Sequence, residues 1–203
     1  MRPRQWDTIL YALAEEQAGY FTAAQARSAG LHQVRLAQLH RGGDIERVTR
    51  GVYRLTRYPV SPLAHYMEAV LWPQVRRADA QGVISHESAL AIYGLSDVSP
   101  ARIHVTLPPS LRIRRAVPKQ LALHYAQLDP QDVQRVDGVP VTTPARAIRD
   151  AHESHLGPAL VRQAIEDGGR SGHLPLAEAR TLERELLVTT PRRARSSTRR
   201  ARR

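Results

Sequence analysis

The chain has 203 residues, which sets one or two small domains, and its 42% hydrophobic content supplies a core. It contains no cysteine, which excludes disulfide scaffolds, thiolate metal sites and cysteine nucleophiles. Its apolar runs are short, which excludes a transmembrane span. The formal net charge is +11, and nucleic acid is the default partner of a small basic protein.

The charge is uneven. Residues 1–57 carry +4, residues 58–187 carry 0 and residues 188–203 carry +7. Of the 30 basic residues, Lys119 is the one lysine. The opening stretch places Asp7, Glu15 and Glu16 in an amphipathic segment rather than in a signal-peptide core, so a cytoplasmic protein is expected.

Trp6, Ile9, Leu10 and Leu13 recur at helical spacing and predict a first helix over about 4–17. Thr22 can cap a short second helix over 23–29, with Gly30 at its exit. A third helix is expected over 33–41, with Leu36 and Leu39 inward and Gly42-Gly43 as its stop. Ile45–Val48 and Gly51–Leu55 then read as two strands about a tight turn. A helix-turn-helix followed by a hairpin is a winged helix.

On the third helix, Val34, Arg35, Ala37, Gln38 and Arg41 point outward, and Gln33, Val34 and Arg35 occupy the end that reaches base edges in such folds. Gln pairs with adenine, Arg with guanine, and Val meets a thymine methyl. Arg47, Arg50 and Arg54 form a basic wing for phosphates or the minor groove. Thr22 completes the expected DNA-contacting set. The competing reading is a winged helix used for protein contacts alone.

Beyond it, the pattern predicts a helix over about 62–75, and a helix capped by Ser85 that carries Ala89, Leu90 and Tyr93 and ends at Gly94. Strands are expected at 103–107 and 121–125, and a hairpin about Asp137-Gly138. Thr143-Pro144 opens a helix, and two more follow near 158–166 and 175–187. The irregular mixture predicts an α+β fold rather than a doubly wound one. Arg112, Arg114 and Arg115 lie in a loop or hairpin and form a second basic surface, for DNA, for an acidic partner patch or simply for solvent. The expected division is a winged helix-turn-helix at 1–58, an α+β domain at 59–187 and a disordered Arg-rich tail at 188–203.

Chemistry is sparse. His86-Glu87 and His152-Glu-Ser-His155 invite a metal reading, but without a third clustered ligand or an HExxH they read as surface or core histidines, so no metal and no cofactor are expected. A nuclease would want carboxylates near a lysine, and Lys119 has none beside it. No enzyme is expected.

Gly19-Tyr-Phe-Thr-Ala-Ala-Gln-Ala26, Gly30-Leu31, Leu36-x-x-Leu39-x-x-x-Gly43 and Ile45-x-Arg-Val-x-Arg-Gly-Val-Tyr-Arg54 resemble the N-terminal winged helix of AbiEi-type antitoxins from bacterial abortive-infection toxin–antitoxin pairs. The resemblance runs on through Val83–Leu95, Ile103–Pro108 and Gly138–Asp150, and covers roughly residues 4–170. His32 departs from it, standing where the family has a Ser or Thr helix cap. The resemblance implies a repressor of its own operon that binds inverted repeats in double-stranded promoter DNA. It also implies an antitoxin that neutralises a nucleotidyltransferase-like toxin through the second domain. A stand-alone winged-helix regulator is the alternative, and a winged-helix-fused nuclease a second, weaker one.

Overall fold

A computed structural model describes residues 5–75 and 81–187, with side chains from residue 8 onward. The Arg-rich tail and the Trp6 position lie outside those described residues and side chains. Helix α1 (Gln5–Glu15) is followed by strand β1 (Tyr20–Thr22), helices α2 (Ala23–Ser28) and α3 (Gln33–Arg41), and strands β2 (Ile45–Thr49) and β3 (Val52–Leu55). The three strands form one antiparallel sheet in the order β1-β3-β2. This is the helix-turn-helix with a hairpin wing. Its core gathers Leu10, Ala14, Phe21, Leu31, Leu36, Leu39, Ile45 and Leu55. Thr22 caps α2 through a reciprocal box: its hydroxyl accepts from the Gln25 amide, and the Gln25 side chain accepts from the Thr22 amide.

Helix α4 (Ala64–Leu71) leads to a second, five-stranded mixed sheet. Strands β4 (Val83–Ile84), β5 (Ile103–Leu107), β6 (Leu121–Tyr125), β7 (Val133–Val136) and β8 (Val139–Thr142) take the order β6-β5-β4-β8-β7. β5 runs parallel to β6 and β4 parallel to β8, while β4–β5 and β7–β8 are antiparallel. Helices α5 (His86–Tyr93), α6 (Pro144–Glu153), α7 (Pro158–Ser171) and α8 (Leu176–Leu186) complete an α+β arrangement. Pro144 stands at the first position of α6, where its missing N–H costs nothing.

One local expectation changes. Ser85 precedes α5, but its hydroxyl makes no helix cap; it lies 2.8 Å from His86 Nδ1 and 2.7 Å from Thr106 Oγ1. The segment between Pro109 and Pro118 is a loop, the first of the two forms offered for it, and makes no hairpin.

The two sheets are tied together. Ala18, Tyr20 and Val52 from the winged helix join the core of the second sheet with Val70, Leu90, Val105, Val141 and Ile148. Arg135 donates to the backbone carbonyls of Glu16 and Gly138, at 2.9 and 2.8 Å. The ring of Tyr58, at the start of the connection, packs on Gly19.

Candidate nucleic-acid interface

Apolar spacing and packing set how α3 is presented. Leu36 and Leu39 are buried, and the remaining surface of the helix faces solvent. Gln33, Val34, Gln38 and Arg41 are exposed, Val34 to 68%, and Arg35 is half-buried. Arg35 Nη1 donates to Gln38 Oε1 at 2.9 Å, which sets two base-reading side chain types side by side. Arg41 Nε donates to the Ala37 carbonyl. His32 precedes the helix in extended conformation and supplies no side-chain cap. The first amides of α3 therefore lack a side-chain acceptor from the cap position.

The wing residues divide. Arg47 and Arg50 are exposed. Arg54 is not available: Nη2 is paired with Glu46 at 2.8 Å, Nη1 donates to the Tyr58 carbonyl, and the side chain is 13% exposed. Thr22 is fully buried, and its hydroxyl is spent on capping α2. These two members of the expected DNA-contacting set are structural.

Arg47 and Arg50 open into a cleft of about 650 Å³ between the winged helix and the second domain. Its wall includes Gln33 from α3, Arg27 from the last turn of α2, and Trp72 and Arg115 from the second domain. Among the described residues, four that bear a guanidinium line it and none that bears a carboxylate does. Charge of one sign on low-dielectric walls focuses the field, which suits a polyanion. Arg115 is fixed there: its guanidinium lies 4.0 Å from the Trp72 ring centroid and donates to the Trp72 carbonyl. Arg112 instead lies over the Tyr125 ring at 5.4 Å, and Arg114 is exposed; neither lines the cleft. Of the three arginines singled out as a second basic surface, one joins the first surface. Arg27 was missed by sequence reasoning. Its signal was position, a basic residue in the last turn of a helix that abuts α3.

The histidines also rearrange. His152 and His155 do not share a helix face, since α6 ends at Glu153 and His155 has φ 72°. His86 instead meets His104 and His124, two residues the spacing gave no reason to join.

Two family models match the sequence. One, described as a transcriptional regulator, AbiEi antitoxin, covers residues 9–56. The other, an AbiEi antitoxin C-terminal domain, covers residues 69–155. Among solved structures, the crystal structure of the RV2827C protein from Mycobacterium tuberculosis is similar at 16% identity and a TM-score of 0.46. That match covers 90% of this chain and 72% of the other. No curated protein matches.

Proposed function

Because this chain belongs to the AbiEi antitoxin family, with the regulator region followed by the antitoxin C-terminal region, we propose that it binds inverted repeats in its own promoter and represses its operon. We assign base reading to Gln33, Val34, Arg35, Gln38 and Arg41 on α3, and phosphate contacts to Arg27, Arg47, Arg50 and Arg115. The observation that carries the reading is the cleft at the N-terminal end of an exposed α3, lined among the described residues by four arginines and no carboxylate. Phosphate contacts hold the protein in register and base-edge contacts choose the sequence. In this reading residues 1–58 read DNA and residues 59–187 face a nucleotidyltransferase-like toxin. The basic tail adds sequence-independent affinity.

The test is a binding titration of the full chain on its promoter at several salt concentrations. Each phosphate neutralised contributes about −0.9 to the log–log salt slope, so four cleft arginines give about −3.6 per bound module. Arg35→Ala and Gln38→Ala relax base preference, at a cost of about 1–3 kcal/mol for the contacted base. Salt-independent binding, or unchanged preference in both variants, defeats the DNA reading. Co-expression with the neighbouring gene product, scored for growth, tests the antitoxin half; a lone gene without a toxin leaves a stand-alone regulator.

A further inference from the structure

Three imidazoles and one carboxylate converge in the second domain, away from the arginine cleft. Parallel pairing of β5 with β6 sets Thr106 opposite His124, and His104 lies two residues along the same face. Helix α5 brings His86 and Glu87 to that face at its first turn. His104 Nδ1 is 3.0 Å from His124 Nε2 and 3.3 Å from Glu87 Oε2. One nitrogen from each of the three rings lies within 4.8 Å of the others. The Glu87 oxygen is buried and accepts no hydrogen bond. His86 holds φ at +53°, a left-handed conformation that costs a non-glycine residue of order 1 kcal/mol or more.

We propose that His86, His104, His124 and Glu87 form a binding site for one zinc ion. Zinc takes imidazole nitrogen at about 2.0–2.1 Å and carboxylate oxygen at about 2.0–2.2 Å in a tetrahedron, which places ligand atoms about 3.3 Å apart. The His104–His124 and His104–Glu87 separations are close to that edge. His86 completes the set by turning off the His124 ring, on which it stacks at 3.6 Å between centroids. Ser85 Oγ, 2.8 Å from His86 Nδ1, can hold the tautomer that frees Nε2, in the way an outer-shell acceptor orients a metal-bound histidine. Burial lowers the His86 basicity to a pKa of about 3 and that of His124 to about 4; His124 and His104 add to the effect on His86, and His104 and Arg102 to that on His124. His104 is lowered too, first by burial and then by Arg102, against the pull of Glu87. Arg102, Arg146 and the N-terminal end of α5 oppose a cation, and Glu87 is the one anionic ligand of the set. The site is correspondingly weaker than a thiolate cage.

The experiment titrates zinc into the metal-free full chain in competition with a chromophoric chelator. One equivalent binds to the native chain and to the His152→Ala/His155→Ala control. His124→Ala and Glu87→Gln each lose at least tenfold in affinity. Zinc X-ray absorption of the native protein gives a first shell of imidazole nitrogens with one oxygen, a readout that does not depend on any variant folding. Zinc also raises the native melting temperature and does not raise that of Glu87→Gln. No equivalent bound, an unchanged titration in a folded His124→Ala, or an oxygen-only shell overturns the proposal and leaves a hydrogen-bonded stack of neutral imidazoles that only fills the core.

Discussion

Arg50 and Arg54 stand four residues apart on the same hairpin and meet different environments. Arg50 is exposed on the wall of the arginine cleft, while Arg54 is held by Glu46 and the Tyr58 carbonyl. Sequence shows two equivalent wing arginines, because nothing in Arg-Gly-Val-Tyr-Arg says which guanidinium finds a carboxylate across the hairpin. The register does: Glu46 pairs directly with Arg54 between β2 and β3. Arg50→Ala is expected to weaken binding to every DNA sequence alike and to flatten the log–log salt slope by about 0.9. Arg54→Ala is expected to leave that slope unchanged and to appear in thermal melts as a loss of about 1 kcal/mol. Equal salt-slope losses in both variants would refute the division. The histidine cluster was illegible at this scale for a related reason. Residues 86, 104 and 124 are joined by strand pairing and by a helix start, not by any spacing along the chain.

Among the elements, those with a long apolar period were legible and those without were not. Helix α3 came out at Gln33–Arg41 as expected, since Leu36 and Leu39 mark its face and two glycines its end. Strand β4 has two residues and β1 three, too few to show alternation. Helix α7 runs to Ser171, past the expected end near 166, because the first of its two glycines, Gly168, serves packing rather than termination. A Cβ on Gly168 would sit 2.6 Å from Leu174 Cδ1, so the glycine lets the following segment close on the helix. Gly51 works in the same manner at the wing. Its φ is +81°, its carbonyl accepts from the Ala23 amide, and a Cβ there would meet Val75 Cγ1 at 2.5 Å. Gly51→Ala is expected to cost about 1–3 kcal/mol in chemical denaturation, through left-handed strain and the forced movement of Val75. A variant within about 0.5 kcal/mol of the parent would show that the wing tip is not clamped against the segment after α4.

For the whole molecule, the α+β class could be read in advance from the irregular mixture of strand and helix patterns, and the order of the parts from the balanced charge of residues 58–187 beside the basic winged helix. The depth of contact between the parts could not. Nothing in the patterns of β1, β3 or the turn before β1 distinguishes an alanine, tyrosine or valine that serves the local core from one that serves a distant sheet. Ala18, Tyr20 and Val52 belong to the distant one. A shared core removes the low-cost route by which one part opens alone. Calorimetry of the full chain is expected to show a single transition whose calorimetric and van't Hoff enthalpies agree, and two resolved peaks would contradict this.

That shared core limits how the protein could be regulated. Tyr20 and Val52 are seated beside residues of the second sheet and Arg135 braces the end of α1, so the described residues hold the two halves together through a common core. On the proposed function, a partner that grips the second domain would not release DNA by swinging the winged helix aside. It can act only by covering the groove between the halves, where Arg115 and Trp72 are within its reach, or by drawing on the stability both halves hold in common.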